Sequence, residues 1–201
     1  MNLNVLKPRQ AVESAFEKPN PGLAIALVFI SCLASLAMPI ILGSQIDLVG
    51  FAINTVVSSY LSFLVLAALI YIVAFVLKGK DSVTGQFSGI VSALGLLWIP
   101  ILVAIIISLV LAPSILSPEV LTLAKEYQAG EIGAYAFASE VAFIAEGIMG
   151  TVYIFTVVFL VIGLFNLYLL YRIISKIFDL KILGNILVML VILFILGFLP
   201  I

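Results

Sequence analysis

Five long apolar stretches constrain the fold of this chain more than any other feature. They cover residues 22–42, 53–77, 87–112, 146–171 and 182–199, and the third begins between Phe87 and Leu94. A helix needs about 20 apolar residues to cross the roughly 30 Å hydrocarbon core of a bilayer. An open sheet edge cannot satisfy its backbone groups in lipid, so all five are predicted to be helices. The 201 residues are therefore expected to form one all-α integral membrane domain.

The composition supports lipid as the solvent of this chain. Hydrophobic residues make up 65% of it and charged residues 9%, against about 25% charged residues in an ordinary soluble domain. The net charge of −1 gives no basic character that would predict a nucleic-acid partner. The chain has no histidine, the side chain that most often serves as a general base or metal ligand. We therefore predict the lipid bilayer as a partner and expect no cofactor, metal or nucleic acid.

The basic residues predict an orientation for the five spans. Eight of the nine lie before the first span, between the second and third, or between the fourth and fifth: Lys7, Arg9, Lys18, Lys78, Lys80, Arg172, Lys176 and Lys181. Only Lys125 falls on the opposite side. Because loops rich in lysine and arginine stay in the cytoplasm, the N-terminus is predicted to be cytoplasmic and the C-terminus outside. The expected location is the cell membrane, with several passes.

The first apolar stretch has an alternative interpretation as a cleaved signal peptide. Ser35, Leu36 and Ala37 place small residues at the spacing of a cleavage site. The apolar run continues past this point to Leu42, which favours a membrane span.

The 113–145 connection is the longest between spans and is predicted to contain a helix on the outer surface. Ser117 is a typical N-cap, Pro118 suits the first helical position, and Glu119 suits the first turn. Gly130 is predicted to end this helix.

Small residues recur every four positions after that helix. The stripe consists of Gly130, Ala134, Ala138 and Ala142, and a second pair, Gly85 and Gly89, stands at the start of the third span. Small residues at this spacing let helix backbones approach closely. The stripes predict either packing within the chain or contacts in a homo-oligomer or with other membrane proteins.

Glu140, Glu146 and Asn166 are the candidate ion-binding or polar site. Ionisable residues at membrane depth are costly and often functional. The two glutamates lie about 120° apart on a helix, so they do not predict a paired carboxylate site. Both are also compatible with solvated positions at the outer surface, and Asn166 with a hydrogen bond to a neighbouring helix.

Pro100 is predicted to kink the third span, because proline removes the backbone hydrogen bond to the carbonyl four residues earlier. Catalysis is not expected. The three aspartates, Asp47, Asp81 and Asp179, all fall between spans, and no P-loop or zinc-binding motif is present.

Three segments resemble the Yip1 family in its prokaryotic branch. The first is "LKPRQAVESAFEKPNPGLAIAL", with Pro8, Phe16 and Pro19 ahead of the first span. The second is "GQFSGIVSALGLLWIPILVAII", in which Phe87, Gly95 and Pro100 take the places of a glycine-phenylalanine segment and a helix proline. The third is the final pair of spans with its basic loop, from "VFLVIGLFNLYLLYRIISK" onward.

The resemblance implies a five-span, non-enzymatic protein of membrane organisation. Eukaryotic members carry a long cytoplasmic N-terminal region with an Asp-Leu-Tyr-Gly-Pro-type motif and act with Rab-type GTPases. This chain has about 21 residues before the first span and lacks the motif. A GTPase partner is therefore not carried over. The glycine-tyrosine signature of the third span is also replaced, here by Gly95 and Leu96.

Two functional hypotheses follow. The first is a scaffold that works through helix packing and partner contacts, and the second is a small transporter or channel component that uses the outer carboxylates. A transport path needs polar residues at several depths, and apart from Asn166 the span interiors offer mainly serine, threonine and tyrosine. The scaffold hypothesis is favoured.

Overall fold

The structure is a computed structural model that describes residues 3, 5–41, 47–79, 83, 85–115, 119, 122–123, 126–127 and 129–198. Within these ranges, the side chains at 38, 41, 112–115, 141–143, 145–149, 151–152 and 197–198 are not described. Half of the predicted helix from Ser117 to Gly130 therefore lies outside the described residues, as do Lys80 and Asp81. Its described residues 119, 122–123 and 126–127 are helical, and residues 129–130 form a turn.

The described residues form helices and no strand, which confirms the all-α prediction. In chain order the helices are α1 (Pro8–Glu17), α2 (Pro21–Ser35), α3 (Ala37–Ile41), α4 (Leu48–Lys78), α5 (Phe87–Gly95), α6 (Trp98–Ile115), α7 (Ala134–Phe178) and α8 (Ile182–Phe198).

Three helical segments are apolar and long enough to cross a membrane: Leu48–Lys78, Phe87–Leu111 and Tyr153–Phe178. Each contains an 18-residue stretch of high mean hydropathy, at 2.7, 2.9 and 2.3 respectively. The first and last predicted spans are present as shorter apolar helices, Pro21–Ser35 and Ile182–Leu196. The described chain thus contains three clear membrane-crossing candidates together with two shorter apolar helices.

Two helices begin earlier than the apolar stretches predict. The Asp47 side chain accepts a hydrogen bond from the Val49 backbone N–H at 3.1 Å and caps α4, which begins at Leu48, five residues before the predicted span. Helix α7 begins at Ala134, twelve residues before the predicted span. Its first turns are rich in alanine, which favours a helix regardless of hydropathy.

The third predicted span is broken in two just ahead of Pro100. Helix α5 ends at Gly95 and α6 begins at Trp98. Proline has no N–H to donate to the Leu96 carbonyl, and that carbonyl accepts a bond from the Ile99 N–H at 3.3 Å instead. A tightened turn at Leu96 and Leu97, closed by backbone bonds to the carbonyls three residues earlier, separates α5 from α6.

Helix α5 lies at the centre of the core, in contact with α1, α2, α4, α6 and α7. Its residues from Gly89 to Gly95 are all buried, and Ile90 and Leu94 are among the largest fully buried side chains. Gly89 allows α1 to pack closely against α5, because a β-carbon at this position would lie 2.7 Å from the Phe16 ring of α1. The core therefore depends on a short helix in which seven consecutive residues are buried.

Helix α1 is an amphipathic helix that the apolar pattern did not predict. Ala11, Val12 and Ala15 are buried, at the three- and four-residue spacing of one helix face, and α1 packs on α5 and α7. Asn20 then caps α2 by accepting a bond from the Leu23 N–H at 3.0 Å.

Ser92 ties the α1–α2 connection to the core. Its Oγ atom accepts a hydrogen bond from the Asn20 backbone N–H at 2.8 Å and donates one to the Ser88 carbonyl at 2.7 Å. Ser92 is fully buried. We expect Ser92→Ala to lower the free energy of unfolding by about 1–3 kcal/mol, because the Asn20 N–H loses its buried acceptor.

Ser108→Ala is the matched control for that prediction. The Ser108 hydroxyl donates to the Ala104 carbonyl of its own helix at 2.8 Å. Thermal unfolding of the two variants in the same detergent should show a loss for Ser92→Ala alone. Equal midpoints for the two variants would contradict a structural role for the Ser92 bond.

Candidate functional site

The three residues predicted as an ion-binding or polar site are not brought together. All three lie on α7, with Glu140 exposed near its beginning and Asn166 half-buried farther along. The 26 residues between these two correspond to about 39 Å of helix. The side chain of Glu146 is outside the described residues.

Helix α7 is longer than a bilayer core requires. The helix has 45 residues, and its described apolar segment is Tyr153–Phe178. Glu146 precedes Phe178 by about 48 Å along the axis, more than the roughly 30 Å of a bilayer core. Both glutamates precede that segment in the chain, whereas Asn166 lies within it.

The predicted small-residue stripe is divided by a turn. Gly130 has a φ of +76°, and the N–H groups of Gly130 and Glu131 bond to the carbonyls of Tyr127 and Glu126. This pairing is a Schellman motif, which ends a helical turn ahead of α7. Ala134 and Ala138 are on α7 and exposed, and the side chain of Ala142 is not described.

The second pair of small residues is divided in the same way. Gly85 lies in a turn with a φ of +87°, and Gly89 is the residue packed against Phe16. Gly89 therefore makes a helix contact, and Gly85 provides a left-handed backbone conformation that favours glycine.

A polar cavity of about 470 Å³ lies where α1, α4 and α7 meet. We call it the basic cavity. Helix α1 contributes Arg9, Val12 and Glu13, α4 contributes its last residue Lys78, and the end of α7 contributes Arg172, Ser175, Lys176 and Asp179. The α1 and α7 residues each follow the three- and four-residue spacing that puts side chains on one helix face. The cavity is thus lined by two helix faces and one helix end.

The Arg9–Glu13 ion pair lies on the α1 side of the basic cavity. Arg9 Nε donates to Glu13 Oε1 at 2.9 Å. This hydrogen bond lowers the pKa of the Glu13 carboxyl below its ordinary value of 4.5, and the charges of Lys176 and Arg172 act in the same direction against desolvation. A lowered folded-state pKa means that the contribution of Glu13 to stability is present at neutral pH. It is lost as the pH falls through that lowered pKa.

Lys78 joins the ends of α4 and α7. Its Nζ atom donates a hydrogen bond to the Ile177 carbonyl at 2.8 Å. Carbonyls in the last turn of a helix lack intrahelical partners, and a cation there is favoured by the helix dipole. This bond places the C-terminal ends of α4 and α7 at the same end of the bundle, beside α1.

Arg172 lines the cavity with an unsatisfied donor. Its Nε atom is buried and has no hydrogen-bond partner among the described residues. Burying a charged donor without an acceptor costs free energy, and such a group in a native structure calls for an explanation.

Two further buried polar atoms without a hydrogen-bond partner in the described part of the chain lie outside the cavity lining. Asn185 is buried and donates to the Leu180 carbonyl at 2.8 Å, but its Oδ1 atom lacks a partner among the described residues. Asn166 Oδ1 is likewise buried and unpaired there.

The lining of the basic cavity is suited to an anion. It contains four cationic side chains, two carboxylates and one hydroxyl. Within the described residues, no group of three or more histidine, cysteine, aspartate or glutamate side chains could hold a metal ion. The cationic side chains can attract an anion and donate hydrogen bonds to it.

Sequence reasoning found the basic residues but not the cavity. The charge count assigned Arg9, Lys78, Arg172 and Lys176 to one side of the membrane, from three separate loops. The spacing of Arg172, Ser175, Lys176 and Asp179 already indicates one polar helix face. That α1 folds back over this face depends on the burial of Ala11, Val12 and Ala15, which only the tertiary structure reveals.

Comparison with known protein families, curated proteins and solved structures yields no match to this chain.

Proposed function

We propose that the protein is a non-enzymatic, five-span protein of the cell membrane that organises the membrane through helix packing and partner contacts. Three spans are the long apolar segments of α4, α5–α6 and α7. The other two are α2 with α3, and α8. Residues 21–41 correspond to about 31 Å of helix and the 17 residues of α8 to about 25 Å, near the thickness of a bilayer core.

The proposed orientation places the basic cavity in the cytoplasm. Positive charge concentrates at the end of the bundle where α1 begins and where α4 and α7 end. Loops rich in lysine and arginine remain cytoplasmic, so the N-terminus would be inside and the C-terminus outside.

One observation carries the scaffold role: the buried polar side chains of the described residues are few, and each makes a contact with the backbone. They are Ser31, Ser92 and Asn185. Ser31 Oγ lies 3.5 Å from the Trp98 carbonyl, Ser92 Oγ accepts from the Asn20 N–H, and Asn185 donates to the Leu180 carbonyl while its Oδ1 atom is unpaired among the described residues. Transporters place polar sites near the midplane, commonly at interrupted helices. The Ser31 and Ser92 contacts join elements that are distant in the chain, which favours a packing role.

The resemblance to the Yip1 family is consistent with this proposal. Its three segments coincide with α1–α2, α5–α6 and α7–α8, which form the core and most of the basic cavity. Membership of that family remains part of the proposal, and partners would be other membrane proteins or a second copy of this chain.

We expect the purified protein in liposomes to conduct no protons or monovalent cations above protein-free vesicles. The measurement is a fluorescent flux assay at matched protein density, with a known channel as positive control. Flux that disappears in Glu140→Gln or Glu146→Gln would contradict the scaffold role and support the transporter alternative.

A further inference from the structure

We propose that the basic cavity binds a phosphate group, supplied either by a lipid headgroup or by a soluble phosphate. This site goes beyond the scaffold role, since it requires neither conduction nor its absence. Three observations support it: the charge of the cavity lining, the Arg172 Nε donor that lacks an acceptor among the described residues, and the position of the cavity in the bundle.

The charge of the lining selects an anion. Arg9, Lys78, Arg172 and Lys176 outnumber Glu13 and Asp179. Two of the four cations are guanidinium groups, whose planar fork of donors matches the oxygens of a phosphate. A phosphate also accepts several hydrogen bonds at once, so helices α1, α4 and α7 could contribute to one ligand.

Two of the four cations, Arg9 and Lys78, make hydrogen bonds to protein groups. Arg9 is paired with Glu13, and Lys78 donates to Ile177. For Arg172 and Lys176 no ion pair is present in the described part of the chain. The buried Arg172 Nε atom also lacks an acceptor there. An oxygen of a bound phosphate would supply that acceptor and neutralise the remaining charge.

The size and place of the cavity fit a phosphate attached to a larger group. Its volume of about 470 Å³ lies within the roughly 300–1,000 Å³ of small-molecule sites. The cavity is formed where the apolar segments of α4 and α7 end, which is the level of lipid headgroups for helices that cross a bilayer. Basic pockets between spanning helices at the cytoplasmic surface commonly bind anionic headgroups.

The test is a binding titration of the full chain in a nonionic detergent, with three probes: inorganic phosphate, short-chain phosphatidic acid, and short-chain diacylglycerol as the lipid that lacks a phosphate. Thermal unfolding under the same conditions gives a second readout, because a ligand that binds the folded state raises the midpoint. Binding of inorganic phosphate identifies a soluble phosphate as sufficient. Binding of phosphatidic acid alone identifies a lipid headgroup.

Variants that are expected to change the affinity in opposite directions make the test specific to the cavity. Arg172→Gln and Lys176→Gln should each weaken binding about tenfold, the loss expected for a charge-assisted hydrogen bond. Glu13→Gln should strengthen binding several-fold, because it removes a negative charge and releases Arg9. Lys176 is exposed, so its variant keeps the test valid if Arg172→Gln fails to fold.

Lys181→Gln is the matched control, since Lys181 is an exposed cation at the same end of the bundle but outside the cavity lining. It should bind the probe like the unaltered protein. The proposal is overturned if neither phosphate probe binds, if Lys181→Gln loses as much affinity as Lys176→Gln, or if Glu13→Gln weakens binding. A flux result that contradicts the scaffold role leaves these outcomes unaffected.

Discussion

Replacing Gly95 by alanine is expected to lower the free energy of unfolding by about 3 kcal/mol or more, at the upper end of the range for overpacked cores. A β-carbon at this position would lie 2.7 Å from the Cα atom of Ala24 and closer still to its Cβ atom. Backbone atoms cannot move aside by changing rotamer, so α2 and α5 would have to separate. Since native domains are stable by only about 5–15 kcal/mol, much of the folded population should be lost on mild heating.

Gly163→Ala is a control that is expected to leave the free energy of unfolding unchanged or to raise it. Gly163 lies inside α7, and no atom of a neighbouring element lies within 4 Å of where its β-carbon would be. Alanine there should be neutral or should stabilise the helix by up to about 1 kcal/mol. Both variants are compared by thermal unfolding in one detergent. Equal midpoints for Gly95→Ala and the unaltered protein would refute the close approach of α2 and α5.

Single cysteines at the two ends of α7 should give an all-or-none labelling result. In a Cys32→Ala background, Ser139→Cys and Leu180→Cys place thiols at exposed positions before and after the apolar part of α7. With the basic end in the cytoplasm, an impermeant thiol reagent added to intact cells should label position 139 and leave position 180 unlabelled.

Permeabilised cells are the control, because both thiols should then react. Cys32 is the single cysteine of the chain, so its replacement by alanine leaves each introduced thiol as the only one that can react. The reverse pattern, with position 180 labelled from outside, would place the basic cavity on the outer surface. Labelling of both positions in intact cells would show that α7 does not cross the membrane as proposed.

The sequence predicted the helical fold better than it predicted which residues share a surface, as Pro100 and the small-residue stripe show. Pro100 predicted a kink from its chemistry alone, and the helix is broken at Leu96 and Leu97. The stripe from Gly130 to Ala142 satisfied a packing pattern, yet Gly130 lies in a turn and Ala138 is exposed. Spacing predicts which residues share a face only after the bounds of the helix are known, and here a Schellman motif falls inside the stripe.

The sequence by itself determined the class of structure and the distribution of charge. Apolar runs near the thickness of a bilayer require helices, because no other open structure satisfies its backbone in lipid. Eight basic residues in three loops predict a common side for those loops. Both inferences depend only on the hydropathy and the charge of residues in their order along the chain.

Tertiary structure decided which helix forms the core and where the charged side chains gather. Helix α5 is less hydrophobic than α2, α4 and α6, yet its seven residues from Gly89 to Gly95 are all buried, because glycines at 89 and 95 admit α1 and α2 at close range. The basic cavity likewise joins residues about 70 to 160 positions apart, Arg9, Lys78 and Arg172. Their meeting depends on how the buried face of α1 packs against α5 and α7, and complementarity between distant surfaces is not encoded in local spacing.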